Sequence, residues 1–155
     1  MSNPIPDIVT ASYQELFDYG GVKLMEQGRP SYQRGTCLYR GPLGSKCFVG
    51  HLMPDSIYSS ELETMRITTN TLRSALRLSG IEHNQRVQFL FECQQAHDNT
   101  SLNVQGPIVG IVFLVSFLKN MENVAKKYNL SMTKVNEAFQ IAKAKLEAES
   151  NVQED

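Results

Sequence analysis

Three cysteines, three histidines and one short basic segment carry most of the chemistry available to this chain. Cys37 and Cys47 fall inside GTCLYRGPLGSKCFVGHLMPD, residues 35–55, together with Arg40, Lys46 and His51. Cys93 stands four residues before His97, and Asp98 follows His97 directly. Thiolate and imidazole are preferred zinc ligands. A cysteine near a His–Asp pair is also the raw material of nucleophilic catalysis. Arg and Lys around a glycine turn suit an anion.

The phosphate reading fails in its nucleotide-hydrolase form. GPLGSK resembles a Walker loop, but Ser45 separates Gly44 from Lys46, Cys47 follows, and the next residues are strand-like rather than the start of a helix. What remains is a simple anion contact by Arg40 and Lys46. For a metal, a hairpin turning on Pro42 would set Cys37 opposite Cys47, with His51 on the same strand face as Cys47, Tyr39 and Val49. Cys93 and His97, four apart on a helix, would complete a zinc donor set. The nine-residue gap between Cys37 and Cys47 lacks the short knuckle of specific zinc motifs. Free cysteine is a common small core residue. The expectation is therefore packing, with no cofactor; zinc is the metal this set would take. Cys47, His97 and Asp98 supply the parts of a Cys–His catalyst, but a His near a helix C-terminus also meets the helix dipole favourably without any catalytic role.

The elements that position these residues read as mostly helical. Ser12 and Glu15 form a capping box for a helix over Tyr13–Gln27, stopped by Gly28, with Gly20-Gly21 as a weak point inside it. Residues 35–53 read as a β-hairpin, CLY and CFVGHLM flanking the turn GPLG. Asp55 is the expected N-cap of a short helical segment over Ser56–Met65. A further helix begins at Asn70 or Thr71 and closes at Gly80, and another runs from Asn84 to His97 with Val87, Leu90, Phe91 and Gln94 on one stripe. The last third forms a helical hairpin, Ile108–Tyr128 and Met132–Glu149, with Asn129 as left-handed cap and Ser131 capping the second helix. The fold class is α+β, mostly α-helical, a small hairpin packed on a helical bundle. Residues 1–155 form a single domain, with 1–10 an extended arm and 150–155 a fraying tail.

Bulk numbers fit that picture. The 155 residues are 41% hydrophobic and 20% charged with a formal charge of -1, ordinary for one soluble domain and unlike a general nucleic-acid coat. The N-terminus lacks the basic and apolar regions of a signal peptide, and an odd cysteine count argues against a secreted disulfide framework. Ile108–Leu118 is apolar over 11 residues, short of the roughly 20 a membrane span needs. The expected location is the cytoplasm, with no membrane partner.

CLYRGPLGSKCFVGHLMPDSIY and the downstream QQAHD resemble a family of small uncharacterised phage and bacterial proteins. Its members carry C-x-Y-R-G-x-x-G-x-K-C-x-x-G-x-L-x-P-D-x-x-Y before a helix ending in His-Asp. The match covers about 60 residues, from Cys37 to Asp98. The resemblance implies a phage-type origin, a host-cell cytoplasmic setting, and one site made of the hairpin with His97 and Asp98; it carries no activity with it.

VAKKYNLSMTKVNEAF also fits a helix-turn-helix pattern, with Ala125, Asn129, Ser131 and Val135 at the packing positions and Lys134, Asn136 and Gln140 free for a groove. Glu122, Glu137, Glu147 and Glu149 flank it, so a plain helical hairpin is the preferred reading and nucleic acid is not the expected partner. The functional expectation is a small phage-type accessory protein that binds and modulates or inhibits a host component, such as a host-defence enzyme. Tyr39, Arg40, Lys46, His97 and Asp98 are its binding residues, and a homo-oligomer is compatible with it. The alternatives are a Cys/His-based hydrolase or nucleotide-binding protein, with a small phosphorylated ligand as its partner, and a helix-turn-helix DNA-binding regulator.

Overall fold

A computed structural model describes residues 4–101 and 109–153 of the chain. Among these are six α-helices and one two-stranded antiparallel sheet: α1 (Tyr13–Gln27), β1 (Tyr32–Gln33), β2 (Thr36–Cys37), α2 (Phe48–Leu52), α3 (Asn70–Ala75), α4 (Asn84–Asp98), α5 (Ile111–Tyr128) and α6 (Thr133–Gln153). The mostly helical α+β class is as expected. No helix among the described residues is long and apolar enough to cross a membrane.

Local signals set the ends of α1. Ser12 Oγ accepts from Glu15 N at 3.1 Å while the Glu15 carboxylate accepts from Ser12 N at 3.3 Å. Gly28, at φ 71°, takes the left-handed cap and donates to Leu24 O. The helix runs unbroken through Gly20-Gly21 because neighbours use the missing side chains. A Cβ on Gly20 would sit 2.5 Å from the Phe48 ring, and one on Gly21 would sit 2.7 Å from Val135. These two glycines let α2 and α6 close onto adjacent faces of α1. Phe17, Phe48, Phe89, Phe113 and Phe117 are fully buried at the centre. Tyr13 stacks on Phe89 at 4.4 Å, and Tyr128 meets both rings edge-on.

The sheet lies upstream of its expected position. Tyr32 pairs with Cys37 and Gln33 with Thr36, about a loop in which Arg34 and Gly35 both have positive φ, 51° and 82°. That is the twist-matched two-residue hairpin turn. The expected turn at GPLG survives as one bridge, Arg40 to Lys46, around the 3₁₀ turn Pro42–Gly44. The second expected strand is a helix: Cys47 is the N-cap of α2, so the strand alternation that set Cys37, Cys47 and His51 on one face does not exist.

Two other boundaries move. The segment expected to be helical over Ser56–Met65 holds only the 3₁₀ turn Ser60–Leu62, capped by Ser59, because Asp55 is drawn into an ion pair with Arg40. Helix α3 stops at Ala75, well before Gly80, as Arg77 turns left-handed at φ 61° and Arg73 bonds the carbonyls of Leu78 and Gly80. The N-terminal segment is anchored to α4: Ile8 and Ala11 are buried, and Arg86 donates to both of their carbonyls.

The helical hairpin α5–α6 is present, with Asn129 left-handed at φ 56° and Ser131 Oγ accepting from Thr133 N. Ile108, the expected first residue of α5, lies outside the described residues. Helix α6 extends to Gln153, so the described part of the expected tail is helical.

Candidate functional site

His97 occupies the last turn of α4 and is completely buried. Its Nε2 lies 2.9 Å from the backbone nitrogen of Ser31, a group that can only donate. Nε2 therefore carries the lone pair, and the ring is the Nδ1–H tautomer. Nδ1 donates to Asp98 Oδ1 at 2.8 Å. Gln94, one helical turn earlier, donates from Nε2 to the same oxygen at 2.7 Å and accepts Val49 N on its own Oε1 at 2.9 Å. The chain Ser31–His97–Asp98–Gln94–Val49 ties the end of α4 to the sheet on one side and to the start of α2 on the other.

Helix α2 is short, with Gly50 in its middle, and two of its free N–H groups are met, one by its own N-cap and one by a distant side chain. Cys47 Sγ accepts from Gly50 N at 3.4 Å, and Gln94 takes Val49 N. Gly50 also permits the closest approach of any glycine among the described residues: a Cβ there would stand 2.1 Å from the Tyr39 carbonyl oxygen.

A second polar knot holds residues 39 and 40. The Glu63 carboxylate accepts Tyr39 N at 2.8 Å, Arg40 N at 3.1 Å and Tyr58 OH at 2.6 Å. Arg40 pairs with Asp55 at 2.6 Å, donates to Met53 O at 3.0 Å and lies over the Tyr58 ring. Tyr39 is buried, and its hydroxyl donates to Met65 O. Burial, reinforced by the negative groups around it, raises its pKa. A third knot forms at the end of α1, where Gln27 pairs with both backbone groups of Lys46 (2.9 and 3.0 Å) and Oε1 accepts from His51 Nε2 at 2.8 Å. Gln14 does the same with Ser131 at the other end of α1, at 2.8 and 3.0 Å. Both glutamines imitate a strand partner.

Sequence reasoning brought part of this together and missed part. Cys37, His97 and Asp98 converge: one sulfur, one nitrogen and one oxygen lie within 4.8 Å of one another. Cys47 is close enough for Asp98 to act on it electrostatically, but burial first and Asp98 second push its thiol well above the ordinary range. That opposes the thiolate a nucleophile needs. Cys93 is buried in the α4 core, and burial raises its thiol as well. His51, on α2, bonds Gln27 of α1 and is not a member of the Cys37, His97 and Asp98 group. Of the residues expected to bind, Tyr39 turns its hydroxyl to Met65 O, Arg40 turns its two terminal nitrogens to Met53 O and Asp55 while its Nε is buried without a hydrogen-bond partner, and Lys46 is half-buried. On α6, Lys134, Asn136 and Gln140 are exposed while Val135 packs on Gly21. Ser31, Gln27, Glu63 and Gln94 were not foreseen as members of the site. A glutamine on the otherwise apolar α4 stripe was the one available signal.

The donor set at Cys37, His97 and Asp98 has zinc chemistry, but the hydrogen bonds oppose occupancy. A metal on Nδ1 would transfer that proton to Nε2, aiming it at the Ser31 N–H and breaking that bond. A metal on Nε2 would displace Ser31 directly. The arrangement is a hydrogen-bonded clasp.

Comparison of the chain with protein families, with curated proteins and with solved structures finds no match in any of the three.

Proposed function

We propose that the chain acts by binding: a small phage-type accessory protein that engages a host protein and modulates or inhibits it, as a host-defence enzyme would be inhibited. The observation that carries this reading is the tip of the Pro42–Gly44 turn. Leu43 is 84% exposed, and its backbone is left-handed at φ 60°, ψ 29°. Left-handed backbone costs a non-glycine residue roughly 1–2 kcal/mol. An isolated exposed leucine is ordinary. One held out at the cost of backbone strain, on a pinned turn, suits a contact that inserts into an apolar pocket.

The turn is fixed from behind. Gly41 N donates to Ser45 O at 2.8 Å, Ser45 N to Pro42 O at 3.1 Å, and Gln27 holds Lys46. The expected contact surface on this segment thus shifts from Tyr39 and Arg40 to Leu43, with Lys46 beside the turn. A phosphate-binding role for Arg40 is disfavoured because its guanidinium already faces Asp55.

Leu43→Asn tests the reading, since asparagine tolerates left-handed backbone. The variant is expected to be as stable as the parent or more so. A tagged parent chain is expected to retain a stoichiometric host protein from bacterial lysate, and the variant to lose it. Equal recovery by both chains, or no stoichiometric protein from several hosts, contradicts the proposal.

A further inference from the structure

A groove of about 900 Å³ runs between the C-terminal half of α1, the start of α5 and the length of α6. Its floor is apolar, with Val22, Met25, Leu114, Ala138, Ala142 and Leu146 along it. On its α6 wall stand Lys134, Glu137, Ile141, Lys145 and Glu149, all exposed, with Ile141 71% exposed. Spacings of three and four put these five on one helical face, about 22 Å long at 1.5 Å per residue.

The order of charges on that face is positive, negative, isoleucine, positive, negative. Read antiparallel against itself about Ile141, the stripe is complementary. Glu137 lies four residues before Ile141 and Lys145 four after, so each comes level with its opposite on a second copy. Lys134, seven before, comes within about one residue rise of Glu149, eight after. A parallel arrangement would set each charge against its own kind. We infer that this face binds a second copy of the chain, α6 against α6 in antiparallel register, with Ile141 near the twofold axis and the ridge of each helix in the other's groove. Such a symmetric, self-complementary contact is the commonest form of homodimer. This inference does not rest on the host-binding reading, which uses Leu43, a residue outside the groove lining.

Sedimentation of the full chain over a concentration series tests it. The parent is expected to show a monomer–dimer equilibrium. Ile141→Glu, at an exposed position, is expected to give monomer with an unchanged circular dichroism spectrum. Glu137→Lys and Lys145→Glu each set like charges together twice per dimer and are expected to weaken association on the order of tenfold. Mixing these two variants, or combining both substitutions in one chain, restores opposite charges and is expected to restore association. A parent that stays monomeric up to about 200 µM overturns the inference. So does association that survives Ile141→Glu, or charge reversals that neither weaken it nor rescue one another.

Discussion

The backbone N–H of Ser31 donates to His97 Nε2 at 2.9 Å, linking residues 66 positions apart inside the core. That bond fixes the imidazole tautomer and converts a Cys–His–Asp grouping with catalytic and metal-binding connotations into a structural clasp. His97→Ala leaves a buried N–H without its acceptor and removes one donor from Asp98. An unsatisfied buried group costs about 1–3 kcal/mol, so with the lost packing a fall of about 3 kcal/mol is expected in urea unfolding. A loss below about 1 kcal/mol would mean that Ser31 finds another partner.

Gly50→Ala is expected to be among the most damaging small substitutions, since its Cβ would meet backbone, the Tyr39 carbonyl, at 2.1 Å. Separation of α2 from residues 39–40 would cost about 3 kcal/mol, at the top of the range for overpacking. The control is Gly20→Ala, whose new Cβ meets the Phe48 side chain at 2.5 Å. A ring can yield where a carbonyl cannot, and the smaller loss is expected there. Thermal melts of the two variants compare them directly.

Acid should weaken the fold through His51. Burial, with Lys46, His97 and Lys23 nearby, lowers its pKa from 6.5 to about 3. The unfolded chain therefore binds a proton that the folded chain does not, and stability present above pH 6.5 is lost as pH falls toward 3. Each pH unit in that window removes up to about 1.4 kcal/mol. His51→Gln retains an amide donor for Gln27 and does not titrate, so its urea midpoint should change less between pH 7 and pH 5 than the parent's. Parallel midpoints would assign the acid sensitivity elsewhere.

How much of this was legible in the sequence depends on how far the causes lie from their effects. The ends of α1 and the Asn129 turn were readable because Ser12, Glu15, Gly28 and Asn129 act on neighbours within one helical turn. Helix α2 was not. FVGHLM has the β-branched and aromatic look of a strand, and its helical start is held by a cysteine cap together with Gln94 on Val49, 45 residues away. The site divides in the same way. His97 and Asp98 were marked by residue type, and Cys37 does join them. The partners that decide what His97 can do, Ser31 and Gln94, are a backbone amide and an unremarkable glutamine. Arg40 similarly read as a free cation until Asp55, expected to cap a helix, proved to be its counter-ion.

Nitrogen-15 NMR of the His97 ring most directly tests the claim that this cluster is a hydrogen-bonded clasp and not a metal site. The spectrum should show a neutral ring with Nδ1 protonated and Nε2 bare, unchanged by equimolar zinc. A ring protonated at Nε2, or a Nδ1 resonance that shifts to a metal-bound position when zinc is added, would contradict it and return Cys37, His97 and Asp98 to metal chemistry.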